Sequence, residues 1–155
     1  MQMIQMPMQR EVMYVMYNLM HGGQIEMKQW QQLPLLQSGH IEHLIESTLL
    51  LYGSNMKTRR KLAKMVLNKS ANLPILIDEM HTWIYFPVHR RDSHYKAYIN
   101  AEYFYYAKQE NQNAIIVFTD GSEIKIEQSV EFINRQYEKT ILFLDKYRKI
   151  KKMCI

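Results

Sequence analysis

AIIVFTDGSEIKI, residues 114–126, settles what kind of chain this is. Two β-rich runs, Ala114 to Thr119 and Ser122 to Ile126, flank Asp120-Gly121, and Asp-Gly between such runs is a type I′ hairpin signature. An antiparallel sheet is therefore expected. Directly after the hairpin, Ser129 is placed to cap a long helix running to about Ile150. Val130, Ile133, Tyr137, Ile141 and Leu144 form an apolar stripe along it at helical spacing. Upstream, Tyr95 to Ile99 and Tyr103 to Ala107 are aromatic and β-prone. Leu73 to Asp78 and Thr82 to Pro87 read as paired strands joined by a turn near Asp78 to His81. Arg10 to Leu19 is apolar on both alternating faces, which fits a buried strand or a short helix, with the strand preferred. A short strand follows at Gln24 to Gln29, and Trp30 to Gln37 is irregular around Pro34. Two helices occupy the centre. The first runs from His40 to Tyr52, with Ile41, Leu44, Ile45, Thr48 and Leu49 inward, Ser38 as cap and Gly53 as stop. The second is capped by Ser54 and reaches about Asn68. The expected fold is one α+β domain over residues 1–155, an antiparallel sheet of short strands and hairpins with two central helices and a long C-terminal helix.

Composition narrows the function. The chain has 155 residues, 47% of them hydrophobic, enough to bury a core. Its formal charge of +5 favours polyanionic partners. Cys154 is the one cysteine, which excludes an internal disulfide or a cysteine-built zinc site and points to a reducing, cytoplasmic setting. Met1 to Arg10 lacks the apolar run of a secretory signal, and no run approaches the ~20 residues of a membrane span, so a soluble protein is expected. His40 and His43 stand near Glu42 and Glu46 without a third ligand, and His21, His81, His89 and His94 lack ligand spacing, so no metal is expected. Phosphate-cradling and nucleophile motifs are missing, and turn geometry accounts for Asp78, Glu79 and Asp120. No catalytic residue, cofactor or enzymatic activity is expected.

Three basic clusters remain. In SNMKTRRKLAKMVLNK, Ser54 to Lys69, a helix puts Lys57, Arg60, Lys61, Lys64 and Asn68 on one arc. Leu62, Met65 and Val66 lie on another, and Arg59 at the flank. Cations at one-turn spacing can each reach a phosphate oxygen; a solvated face that only confers solubility is the alternative. His89-Arg90-Arg91 follows a strand, where arginines could enter a narrow A·T-rich minor groove or simply face water. Lys146 to Lys152 carries five cations, which a helix C-terminus also favours through its dipole. On the last helix Phe132, Phe143, Tyr147 and Ile150 widen the apolar face. Such a face fits a second subunit, through Ile133, Tyr137, Ile141, Phe143 and Leu144, or an internal core.

With these residues in view, LYGSNMKTRRK (Leu51 to Lys61) resembles the aromatic-Gly-Ser-Ser…Arg-Lys segment of the ComK competence transcription factors. PILID (Pro74 to Asp78), IYFP (Ile84 to Pro87) and YIN (Tyr98 to Asn100) are similar to that family's strands in order and spacing. The hairpin and the Ser129-rooted helix complete the series, so the resemblance spans roughly Tyr52 to Lys146. It implies a DNA-binding activator that recognises A·T-rich boxes largely through the minor groove, as a multimer. By position Arg59 and Arg60 match the family's Arg-Lys pair, whereas His89-Arg90-Arg91 stands in place of the family's Ser/Thr-rich stretch. With the basic arc and the loop, the expected DNA contacts are Lys57, Arg59, Arg60, Lys61, Lys64, Arg90 and Arg91, and RNA polymerase or a full-length ComK-like protein is an expected further partner. Asn55 stands where a second Ser is usual, Thr58 replaces a Gly and Tyr98 a Trp. Longer relatives continue past the position of Ile155, which motivates an alternative, a non-catalytic interaction module or modulatory partner of a full-length regulator.

Overall fold

A computed structural model of the chain describes residues 6–18, 20, 22–90, 93 and 95–154. Among them the strands are β1 (Val12–Asn18), β2 (Gln24–Gln29), β3 (Leu35–Gln37), β4 (Ile75–Asp78), β5 (Trp83–Pro87), β6 (Ala97–Asn100), β7 (Phe104–Glu110), β8 (Asn113–Phe118) and β9 (Glu123–Ile126). The helices are α1 (Ile41–Leu50), α2 (Met56–Leu67) and α3 (Val130–Met153). A six-stranded antiparallel sheet has the order β3-β2-β1-β6-β5-β4, and β7-β8-β9 form a second, three-stranded sheet. The α+β class and the order of elements agree with the sequence reading.

The large sheet is buried on both faces across β4, β5, β6 and the first half of β1, while its other edge, β3, is exposed. Along β5, Trp83 and Tyr85 enter one core while Ile84 and Phe86 enter the other, the period of two a pleated strand imposes. In β1 the register shifts between Val12 and Tyr14, so Met13 and Tyr14 enter one core and Val12 and Val15 the other. This double burial explains why periodicity left β1 undecided: an alternating pattern needs one wet face, and β1 has none. Ile41, Leu44, Ile45 and Leu49 of α1 close one face. The second sheet and α3 close the other. Helix α2 contributes Met56 to the first core and Ala63, Val66 and Leu67 to the second, lying along the edge strand β4.

Several local expectations change. Leu35–Gln37, read as irregular, pairs with β2 as an edge strand. Helix α1 begins at Ile41 with His40 in the cap position and no capping side chain, so Ser38 does not cap it. The Tyr17 hydroxyl accepts the Ile41 N–H at 3.0 Å instead. The cap of α2 is Asn55 and not Ser54. The 114–126 hairpin is present, but only Gly121 of its Asp-Gly pair has a positive φ, +87°. With the Gly121 N–H donating to Phe118 O, the loop is a type I turn closed by a glycine bulge and not a type I′ turn.

The wide apolar face of α3 is used within the chain. Ile133, Phe143 and Leu144 are buried, and Tyr137 packs 4.7 Å from the Phe104 ring and 5.9 Å from that of Phe86. These four serve the chain's own core, which corrects their expected role as a subunit face. One helix meets β5, β7 and α2 together, so it needs a broad stripe. Ile141 stays exposed, beside Leu142.

Asp120, read as a turn residue, also ties the two sheets together. One carboxylate oxygen accepts from Lys28 Nζ at 2.6 Å and the Gln31 N–H at 3.0 Å; the other accepts from Ser122 N–H and Oγ. The Lys28 and Asp120 side chains are 10% and 3% exposed. Burial opposes ionisation of Asp120, but Lys28, Ser122 and Gln31 outweigh it and hold the carboxyl well below its usual value. Removing one partner of such a pair strands the other charge. Asp120→Asn should therefore cost about 3 kcal/mol in urea unfolding at neutral pH. A depressed carboxyl stabilises above its unfolded value of 3.8 and loses that effect as pH falls below it. The gap between wild type and variant should accordingly close in acid; a gap independent of pH would refute the assignment.

Candidate nucleic-acid interface

Helix α2 is held at both ends. Gly53, at φ +66°, lets the chain reverse after α1, and the Ser54 N–H returns to Leu49 O at 3.1 Å. Glu46 of α1 accepts the Met56 N–H, and Asn55 Oδ1 accepts that of Thr58 at 2.8 Å. These satisfy two of the donors a helix start leaves open. At the other end Asn68 adopts the left-handed conformation and its N–H bonds to Lys64 O. The basic helix therefore has a defined rotation about its axis, which decides which side chains face water.

Lys57, Arg60, Lys61 and Lys64 are exposed together on that outer face, as the arc predicts, and so is Asn68. Arg59 turns back towards the sheet. Its Nη2 donates to Ile77 O at 3.2 Å, and its buried Nε lacks a partner among the described residues. Met65, expected inside, is 68% exposed, and Ala63 and Leu67 take the inward positions with Val66. Inward anchoring leaves Arg59 off the row of outer cations.

Charge sets this face apart. No Asp or Glu occurs between Glu46 and Asp78. Among the described residues, Lys57, Arg60, Lys61 and Lys64 form no ion pair. The basic C-terminal end of α3 differs. Arg148 and Lys151 both reach Glu79, at 3.3 and 3.0 Å, and Lys149 reaches Asp145 at 2.9 Å. Lys151 first, with Arg148, keeps Glu79 below the usual carboxylate range against partial burial. Three of the five cations in that cluster thus fasten or neutralise the helix end.

Arg60 stands at a polar cleft of about 340 Å3, where it meets Lys96, His89, Tyr98 and Asn72. The cleft brings α2 to the β5–β6 loop, in which Arg90 is exposed; Arg91 lies outside the described residues. Lys96, which linear order did not connect to α2, pairs with Glu42 of α1. His89 is not part of a cationic loop. It is buried, its ring lies 5.1 Å from that of Tyr98, and its Nδ1 accepts the Ala97 N–H at 3.0 Å. Burial, aided by Lys96 and Arg60, lowers its pKa against the opposing effects of the Ala97 carbonyl, 3.1 Å from the same nitrogen, and of Glu42.

The described residues include no group of three metal-binding side chains, and His40 and His43 make only an edge-on ring contact at 5.0 Å. His21 and His94 lie outside the described residues. No described helix is long and apolar enough to cross a membrane. Residues 8–152 match a protein family described as ComK protein. No curated protein and no solved structure matches the chain.

The placement of His89 has a measurable consequence. Its ring should titrate below 6.5 in the folded protein, followed by its Cε1 proton resonance. A lowered histidine pKa means the unfolded chain takes the proton first. The associated stability is present above 6.5 and lost as pH falls below it. A midpoint at or above 6.5 would show that the ring is not buried in this way.

Proposed function

The chain belongs to the ComK family, and from that premise we propose that it is a competence-type transcription factor that binds A·T-rich promoter DNA as a homo-oligomer in the cytoplasm. The observation that carries this reading is the outer face of α2. Four cations stand there without carboxylate partners among the described residues, on a helix fixed at both ends. A solvated face serving solubility would tolerate acids interspersed among its cations. A polyanion-binding face excludes them, because every phosphate neutralised releases counterions and adds to affinity.

Lys57, Lys61 and Lys64 contact phosphates and set the register of the helix on the duplex. Arg60, at the cleft facing the β5–β6 loop, joins Arg90 and Arg91 as guanidinium donors to the groove, where a narrow A·T-rich minor groove concentrates negative potential. Arg59 braces α2 against β4 through Ile77. With most of the α3 stripe inside the core, Ile141 and Leu142, and Ile150 and Met153 towards its end, are apolar positions that helix leaves for a second copy.

Binding to a labelled duplex with paired A·T-rich boxes, against a G·C-substituted control and across a salt series, tests the reading. Arg60→Ala/Lys64→Ala should weaken binding by about 2 kcal/mol, roughly thirtyfold, and leave the far-UV spectrum unchanged. Unaltered affinity in that variant removes α2 from the interface. No binding by the wild type at low salt removes DNA as the partner.

A further inference from the structure

We infer that the phosphate-binding surface continues past α2 onto the first half of α3, through Lys69, Arg135 and Lys139. This rests on the DNA-binding reading and adds backbone contacts beyond those α2 makes.

The geometry begins where α2 ends. Lys64 occupies the last turn, Asn68 reverses the chain, and Lys69 follows directly, exposed. The loop after it is clamped to α3. Lys139 Nζ donates to the carbonyls of Ala71 and Asn72 at 3.3 Å each, and Gln136 Nε2 donates to Asn72 O at 3.0 Å. This clamp brings Lys69 and Lys139, 70 positions apart in the chain, into one neighbourhood. Arg135 lies one turn before Lys139 on the same side of α3 and is exposed. Two segments that the linear sequence keeps apart thus gather their cations at the C-terminal end of α2.

Among the described residues, Lys69, Arg135 and Lys139 form no ion pair. Partial burial lowers the pKa of Lys139, and the charges that lower it further are Lys69 and Arg135, both cations. Like charges one turn apart destabilise a helix. In the second half of α3 ion pairs offset that effect, with Lys149 paired to Asp145 and Arg148 and Lys151 to Glu79. Arg135 and Lys139 keep their mutual repulsion, with no ion pair to offset it among the described residues. A phosphate chain relieves such repulsion, and the cluster follows directly on the last turn of α2, so the same duplex that lies on α2 can reach it.

The test uses the full chain with Lys69→Ala/Arg135→Ala. Both side chains are exposed, and Lys139 is left in place because it anchors the loop. Each phosphate contact contributes about 0.9 to the slope of log affinity against log salt, so the double variant should be shallower by about 1.8. The loss should be equal on A·T-rich and G·C-substituted duplexes, since these contacts read no base. Lys149→Ala/Lys152→Ala, at the far end of α3, should leave the slope unchanged. An unchanged slope in Lys69→Ala/Arg135→Ala, with Arg60→Ala/Lys64→Ala still shallower, overturns the inference and leaves the DNA reading intact. An equal loss in the Lys149→Ala/Lys152→Ala control overturns it too, because net charge alone would then account for the effect. Failure of the wild type to bind removes both.

Discussion

A sheet in which β4, β5, β6 and the start of β1 are apolar on both faces has to be covered twice, and the rest of the molecule follows from that requirement. Every residue of β5 and β6 is buried, so neither face can be left to water. One helix, α1, closes one side. The other side takes the second sheet together with α3. Helix α2 is then left to lie along β4, the last strand of the sheet, where it shields an edge that would otherwise present unpaired backbone groups. A helix in that place buries a narrow stripe, Met56, Ala63, Val66 and Leu67, and keeps the remainder in solvent. The cationic face therefore owes its exposure to the double-sided sheet.

A few polar contacts hold these layers in register. Asp120 and Lys28 join the small sheet to the large one, and Gln136 spans from α3 to Pro87 and Asn72. Asn100 donates to the carbonyls of Val12 and Arg10 and accepts from the Glu102 N–H, so it fastens the start of β1 to the end of β6. Each is a buried or half-buried group with its hydrogen bonds made, and such groups are costly to strand. They act between segments distant in sequence, which is why turn or helix propensity does not reveal them. Asp120 illustrates the point: its place in a tight turn is a sufficient reason for an aspartate, and its bond to Lys28 needs the second sheet to be visible.

The segments that resemble ComK proteins divide by physical role. PILID, IYFP and YIN become β4, β5 and β6, the buried half of the large sheet. LYGSNMKTRRK contains the α1–α2 corner and the first turns of the basic helix. Asn55, in place of a usual serine, accepts from the Thr58 N–H as a capping serine would, so that departure preserves the helix start. Tyr98, in place of a tryptophan, is buried against His89 at the cleft Arg60 enters. Burial pushes its hydroxyl up to about 12, so it remains a neutral phenol there.

Local chemistry was enough for much of this. The α+β class, the 114–126 hairpin, both central helices and the long last helix are legible because turn residues, caps and the 3.6-residue period act over short spans. The exposed row Lys57, Arg60, Lys61 and Lys64 is legible for the same reason, as an arc opposite an apolar stripe. Other features required the folded chain. Cap positions shifted by a residue or two, since Glu46 and Tyr17 supply partners from outside the helices they complete. Ile133, Tyr137, Phe143 and Leu144 proved to be core because α3 meets three elements at once, a number that a helical wheel does not contain. Arg59 was drawn inward by a carbonyl of β4, and Lys69, Arg135 and Lys139 converged from two distant segments. Periodicity reports which side of an element is apolar; what that side packs against, and which distant charges end up adjacent, depends on the three-dimensional path of the chain.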